Sequence, residues 1–374
     1  MTARRCPPRP RSILIVQLDH IGDAVLSTPM LRAIHTHFPD AAIDVLASQS
    51  NREVFEADSH VRRVHVSQRN WLARGAGAQS FLGEAFRLAR HIRQLGYDLG
   101  IDPRGDFLVA LVLWLAGIPR RLGWSCGGGG FLLTDLARWD ASRHEAESRR
   151  ALVEPLGIRN ACTQPELFPS WADSYFVRES LASVPELRFP LIVVHVGAGT
   201  KAKRWPMNNM AELIERLVRE LAGSVILVGD SADQPLGRTL ARVCTGAIDW
   251  TGSLTLMQMA ALLGEVDLFI GTDSGPAHIA AAMGAPTVVL FSGTNRVECW
   301  SPIGTDVQVL RRAVPCSPCH LKVCPVAGHP CMTEISPAEV FELARQIAKD
   351  AISRQRCSVP VSAIEFEADL DQPA

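Results

Sequence analysis

Short runs of aliphatic and β-branched residues alternate with longer stretches of helical periodicity in this chain, and the alternation starts twice. Strands that read as unbroken apolar runs are buried on both faces, which parallel sheets covered by helices provide. In the first half Ser12-Ile13-Leu14-Ile15-Val16 predicts a strand followed by a helix through His37. Ala42-Ile43-Asp44-Val45-Leu46 predicts a second strand, and Asp98 to Asp102 another behind a helix from Phe81 to Leu95. The pattern restarts at Leu191-Ile192-Val193-Val194-His195 and continues through a helix from Asn208 to Leu221. Strands at Ser224–Val228, Asp267–Ile270 and Thr287–Phe291 follow. The expected architecture is α/β, two Rossmann-like domains facing across a cleft, with ligands beyond the carboxyl ends of the strands.

A length of 374 residues is more than one ordinary domain needs. A proline-rich stretch from Pro165 to Pro190 separates the two patterns. The expected division is residues 1–185, residues 186–356, and an acidic tail at 357–374 that lacks periodicity and is expected to be disordered. Net charge is −1, so nothing global favours nucleic acid. The basic start, MTARRCPPRPR, is followed by no apolar core of a secretory leader. The longest apolar run, Phe107 to Ile118, falls short of the roughly 20 residues that span a bilayer and is expected to be a buried helix. Ten cysteines, six of them scattered singly, do not make a disulfide scaffold. A reducing, cytoplasmic setting is therefore expected.

Three loops, each after a predicted strand, carry residues suited to chemistry. In Gln17-Leu18-Asp19-His20-Ile21-Gly22-Asp23 the glycine suits a tight turn, and Asp23 stands at the head of a helix as either a cap or a cleft carboxylate. In His195-Val196-Gly197-Ala198-Gly199-Thr200-Lys201-Ala202-Lys203-Arg204 small residues permit close approach to phosphate, and three cations in four positions would neutralise it. Two of the chain's four lysines stand here. The alternative is a solvated charge cluster. In Gly271-Thr272-Asp273-Ser274-Gly275-Pro276-Ala277-His278, Asp273 or Ser274 suits a cap and Pro276 a first turn. Such a helix start offers free N–H groups to a diphosphate, with His278 one turn in.

Other chemistries lack their motifs. No G-x-G-x-x-G opens either half, and no P-loop occurs. The single D-x-D, Asp369-Leu370-Asp371, lies in the tail, so no carboxylate pair is expected to escort a metal–diphosphate. Cys316, Cys319, Cys324 and Cys331 form a compact cluster with His320 and His329 inside it. Four thiolates at these spacings fit a structural zinc or an iron–sulfur cluster, with free thiols as the alternative.

Taken in order, these loops resemble glycosyltransferase family 9, the heptosyltransferase-like enzymes of lipopolysaccharide assembly. The resemblance runs from about Ser12 to Ala351. It rests on Ile21-Gly22-Asp23 with Thr28-Pro29, Lys203-Arg204-Trp205-Pro206, Asp273-Ser274-Gly275-Pro276-Ala277-His278 and Trp300-Ser301-Pro302. Leu115 to Gly123 also has the family's look. The resemblance implies a GT-B fold and an inverting transfer that needs no metal cofactor. Asp23 matches the family's proposed general base, and Thr200 and Lys203 fall in its phosphate-contacting loop. Asp273, Ser274, Gly275 and His278 fall in its donor-binding loop, and the nucleoside contact falls near Gly229-Asp230-Ser231. It implies an ADP-heptose donor, a lipid-anchored saccharide acceptor, and peripheral contact with the inner face of the cytoplasmic membrane. The chain departs from the best-known members in carrying Asp19-His20 where they have small polar residues. Transfer of another sugar from a different nucleotide, or a non-catalytic nucleotide-sugar-binding protein of the same fold, are the alternatives.

Overall fold

The computed structural model describes residues 9–67, 78–159 and 161–357. The acidic tail therefore lies outside the described residues, apart from Cys357.

The first half contains β1 (Ser12–Gln17), α1 (Ile21–His37), β2 (Ala42–Ser48), α2 (Arg52–Glu56), β3 (Arg63–Ser67) and α3 (Ala78–Leu95). It continues with β4 (Leu99–Ile101), α4 (Phe107–Leu115), β5 (Arg120–Trp124), β6 (Asp135–Ala137) and α5 (Glu145–Leu152). Helix α6 (Trp171–Ala182) leads to the second half: β7 (Leu191–His195), α7 (Met207–Leu221), β8 (Ser224–Val228), α8 (Gln234–Val243), β9 (Ala247–Asp249) and α9 (Leu256–Leu263). Then come β10 (Leu268–Thr272), α10 (Gly275–Ala282), β11 (Thr287–Phe291), α11 (Val297–Trp300), β12 (Val307–Arg311), α12 (Pro330–Thr333) and α13 (Pro337–Cys357).

The strands form two six-stranded sheets, ordered β3-β2-β1-β4-β5-β6 and β12-β11-β10-β7-β8-β9. Every pairing is parallel. Both have the 3-2-1-4-5-6 order of a dinucleotide fold, with the connection reversing direction between β1 and β4 in one and between β7 and β10 in the other. The central strands read as they do because both faces are covered: β1 buries Ile13 to Gln17, and all five residues of β7 are buried. Helix α7 shows the complementary pattern, burying Met210, Leu213, Ile214 and Leu217 along one stripe.

The apolar run at Phe107 departs from expectation. Only one side of α4 is buried, at Val109, Ala110, Val112 and Leu113, while Phe107 and Trp114 are exposed. No helix among the described residues is long and apolar enough to cross a membrane.

Candidate active site

The loops that follow β1, β7 and β10 leave the two switch points and border one cleft of about 690 Å³. The starts of α1 and α10 meet at its floor. A Cβ on Gly22 would lie 2.9 Å from His278 Cδ2, and one on Gly275 would lie 3.0 Å from Ile21 Cβ. Gly22 is the second residue of α1 and shows no positive φ. It is therefore needed for clearance between the two halves, not for the tight turn expected of it.

Asp23 lies in the first turn of α1 and lines the cleft. The N-cap residue is His20, with no side-chain capping bond, so a capping role for Asp23 is excluded. Its carboxylate is 13% exposed and sits 3.5 Å from Arg149 Nη2. Arg149, on α5, is itself 3% exposed, pairs with Glu145 at 2.8 Å, and donates to the Pro103 carbonyl. Asp19 accepts from Gln17 Nε2 at 3.1 Å and pairs with Arg104 at 3.3 Å, which also reaches Asp106 at 3.7 Å. Burial raises the Asp23 pKa to about 7, and the negative charges of Asp19 and Glu145 add to the rise. Arg149 opposes them. A carboxyl poised near neutrality is suited to accepting and releasing a proton.

Lys203 and several polar groups short of partners line the same cleft. Lys203 closes a turn of 3-10 helix, where Nζ pairs with Asp273 at 3.0 Å and donates to the Asp273 carbonyl at 2.8 Å. Burial pushes the Asp273 carboxyl up against the opposing pull of Lys203. Its oxygens also accept from Ser292. Ser274 occupies the N-cap of α10, but its hydroxyl turns back to the Thr272 carbonyl, leaving the helix start without a side-chain cap. His278 Nδ1, His195 Nδ1 and Thr200 Oγ1 are buried without a hydrogen-bond partner, and all three residues line the cleft. Burial depresses His278 to about 3 and His195 to about 4, so both rings are neutral at physiological pH. Unpaired buried polar atoms are costly, and groups of this kind are satisfied when a polar ligand arrives.

In the same cleft Trp250, Leu254, Leu256 and Met259 form an apolar slot, with Gly229 and Asp230 at its rim. Asp23, Thr200, Lys203, Asp273, Ser274, Gly275 and His278, all expected from sequence, therefore share one cleft. Glu145, Arg149, Trp250 and Met259 went unnoticed. The first two are an i, i+4 pair indistinguishable in sequence from a surface pair. The slot residues come from α9 (Leu256, Met259) and the loop before it (Trp250, Leu254), apolar positions with no chemical signature.

The expected structural metal is not supported. Among the described residues no group of three or more His, Cys, Asp or Glu side chains is arranged to hold a metal ion. Cys331 is buried in the core, with its Sγ 3.5 Å from where a Gly293 Cβ would stand. Cys316 is exposed, and Cys324 Sγ lies 3.8 Å from the Val326 carbonyl. Hydrogen bonds hold the segment instead: Ala202 N–H donates to Lys322 O, Cys319 N–H to Gly293 O and His320 N–H to Thr294 O. The His329 ring meets the Ala202 carbonyl at 2.9 Å. The cysteine-rich segment thus braces the Lys203 turn through its backbone.

A family model described as glycosyltransferase family 9 (heptosyltransferase) matches residues 85–329. Lipopolysaccharide heptosyltransferase 2 of Escherichia coli (strain K12) is 28% identical over 80% of this chain and 87% of its own. Lipooligosaccharide heptosyltransferase 2 of Campylobacter jejuni is 30% identical over 88% of this chain and 96% of its own. The solved E. coli ADP-heptose lps heptosyltransferase II superposes with a TM-score of 0.73 at 24% identity, covering 92% of this chain and 99% of that one.

Proposed function

The chain belongs to glycosyltransferase family 9, the heptosyltransferases, and from that membership and the cleft's geometry we propose that it moves a heptose from ADP-heptose to a lipid-anchored saccharide acceptor in lipopolysaccharide assembly. It is a glycosyltransferase with a GT-B fold. The observation that carries the finer reading is the presence together, in one cleft, of a carboxyl with a pKa of about 7, Lys203 and several unpartnered polar groups.

In this reading Asp23 removes the proton of an acceptor hydroxyl as its oxygen attacks the anomeric carbon. The bond from that carbon to the diphosphate oxygen breaks, and the electron pair leaves with ADP. One displacement of this kind inverts the anomeric centre. A positioned general base contributes about 10²–10⁴-fold. Charge growing on the diphosphate is met by Lys203, the His278 ring, Thr200 and the uncapped start of α10 at Ser274 and Gly275. These groups supply the stabilisation that a divalent cation gives in other transferases, so metal is not required. Asp273, engaged by Lys203 and Ser292, acts as a positioning residue that aims the ammonium group. The slot of Trp250 and Met259 takes the adenine face. Closure of the two halves excludes water that would hydrolyse the donor. The reaction belongs at the cytoplasmic side of the membrane.

Incubation with ADP-, UDP- and GDP-sugars tests the donor assignment by thermal shift and nucleotide release. ADP-heptose should raise the melting temperature most and release ADP only when acceptor is present, with activity retained in EDTA. A stronger response to a UDP- or GDP-hexose would replace the donor reading.

A further inference from the structure

Helix α5 belongs to the first half but is anchored in the second. His144 is its N-cap residue, and Nδ1 accepts from the Ala146 N–H at 3.2 Å. With Nδ1 as acceptor the ring proton sits on Nε2, which donates to the Ser301 carbonyl at 2.8 Å. Ser301 terminates α11, whose Trp300 lines the cleft. Two further contacts join the same segments. Arg296 Nη1 donates to the Ala141 carbonyl at 3.3 Å, and Cys299 Sγ lies 3.6 Å from that oxygen. The chain entering α5 is thus stapled to the other half.

The charges that α5 carries bear on Asp23. Glu145 follows His144 directly and pairs with Arg149 at 2.8 Å, and Arg149 stands 3.5 Å from the Asp23 carboxylate. The helix packs along α1, which holds Asp23 in its first turn. The pull of Arg149 on that carboxyl outweighs the push of Glu145. Ser148 Oγ and Arg149 Nε are buried without partners, so hydrogen bonds to the first half do not saturate the helix. The other charged groups facing Asp23 are Asp19 and Arg104, which pair with each other from the loops after β1 and β4. The His278 ring beside Gly22 is neutral. None of these three is on α5.

We propose that His144 is a positioning residue that holds Arg149 against Asp23 while the two halves meet at Ser301, and so ties the proton affinity of Asp23 to closure of the cleft. Parting the halves breaks the bond to Ser301, releases the first turn of α5 and weakens the attraction between Arg149 and Asp23. The carboxyl then holds its proton more tightly. A base that is more ionised in the closed cleft than in the open one does not activate bulk water while the donor is exposed. The functional meaning of this linkage rests on the reading of Asp23 as general base. The linkage itself is a property of the folded chain without substrate.

Titration of the Asp23 carboxyl itself tests it, followed by carbon NMR of full-length protein labelled at aspartate, with the Asp23 signal identified by its loss in Asp23→Asn. No donor, acceptor or transfer enters the measurement. His144→Ala removes both the cap and the bridge, whereas His144→Asn keeps a good cap on a side chain too short to reach Ser301. His144→Asn should raise the Asp23 pKa by about 0.5–1 pH unit and melt as wild type does. His144→Ala should raise it as much and melt at a lower temperature. Arg296→Ala, an exposed change on the second half, should move it the same way by a smaller step. A wild-type titration in His144→Asn would show that His144 only caps α5, and would overturn the proposal. An Arg296→Ala variant that leaves the titration in place would overturn it equally. Turnover separates this outcome from the proposed function: if Asp23→Asn still transfers sugar, the base assignment fails while the linkage between His144 and the carboxyl stands.

Discussion

If Asp23 is the base, its two charged neighbours on α5 must move the acid limb of the pH–rate profile in opposite directions. A base works only when ionised, so turnover is present above its pKa, about 7 here, and is lost as pH falls through it. At 3.5 Å and an effective dielectric of about 20, the attraction between Asp23 and Arg149 is about 5 kcal/mol, a ceiling of about 3.5 pH units. Glu145 lies closer to the same guanidinium, at 2.8 Å, and takes part of its charge. Arg149→Met should therefore raise the acid limb by about 1–2 pH units. Glu145→Gln removes a repulsive charge and frees the guanidinium for Asp23, so the limb should fall below its wild-type position. Arg149 is buried, and its loss leaves two carboxylates without a cation at a cost of about 3–5 kcal/mol. Initial rates should thus be taken at a temperature where melting curves show folded protein, with donor saturating. A merely structural role for α5 would lower rates without moving the limb. Limbs that stay together in both variants, or move the same way, would refute the coupling and with it the general-base assignment.

Lys203→Ala and His278→Ala should each weaken ADP about 10- to 100-fold by calorimetry while changing adenosine little, since hydrogen bonds to charged groups contribute about 1.5–3 kcal/mol. Equal losses for both ligands would remove the phosphate contacts. Gly22→Ala forces a methyl to within 2.9 Å of the His278 ring and should lower stability by about 1–3 kcal/mol in thermal melts. An unchanged melt would show that the two halves do not meet there in solution. Elemental analysis of anaerobically purified protein should find no stoichiometric zinc or iron, and chelation should leave the melting temperature in place. One metal per chain would reinstate a cysteine site.

The central strands were legible because burial on both faces leaves no polar alternation, as in Leu191 to His195. The outer strands were not. β3 carries Arg63 and His65, and β12 alternates Gln308 with Val309 at a sheet edge. β5 opens with Arg120 and Arg121, of which the first is neutralised by Asp135 on β6, a pairing invisible before the strands are side by side. In the cleft the glycines and lysines of the strand-following loops announced themselves, since phosphate chemistry restricts residue type. Arg149 did not, because what makes it matter is its burial against Asp23, which lies on a different helix. The cysteines misled in the opposite direction. Spacing suggested a metal, but proline turns and backbone hydrogen bonds to the Lys203 turn already hold the segment.

The most direct test of the account is mass spectrometry of a lipid-anchored saccharide acceptor after incubation with ADP-heptose and either wild-type protein or Asp23→Asn. The account predicts an acceptor heavier by one heptose, with one ADP released per transfer, for wild type. For the variant it predicts no product at unchanged folding and a donor affinity within about a few fold, since the proton acceptor alone is lost. An unmodified acceptor with wild-type protein, or a heptosylated one with Asp23→Asn, would contradict it.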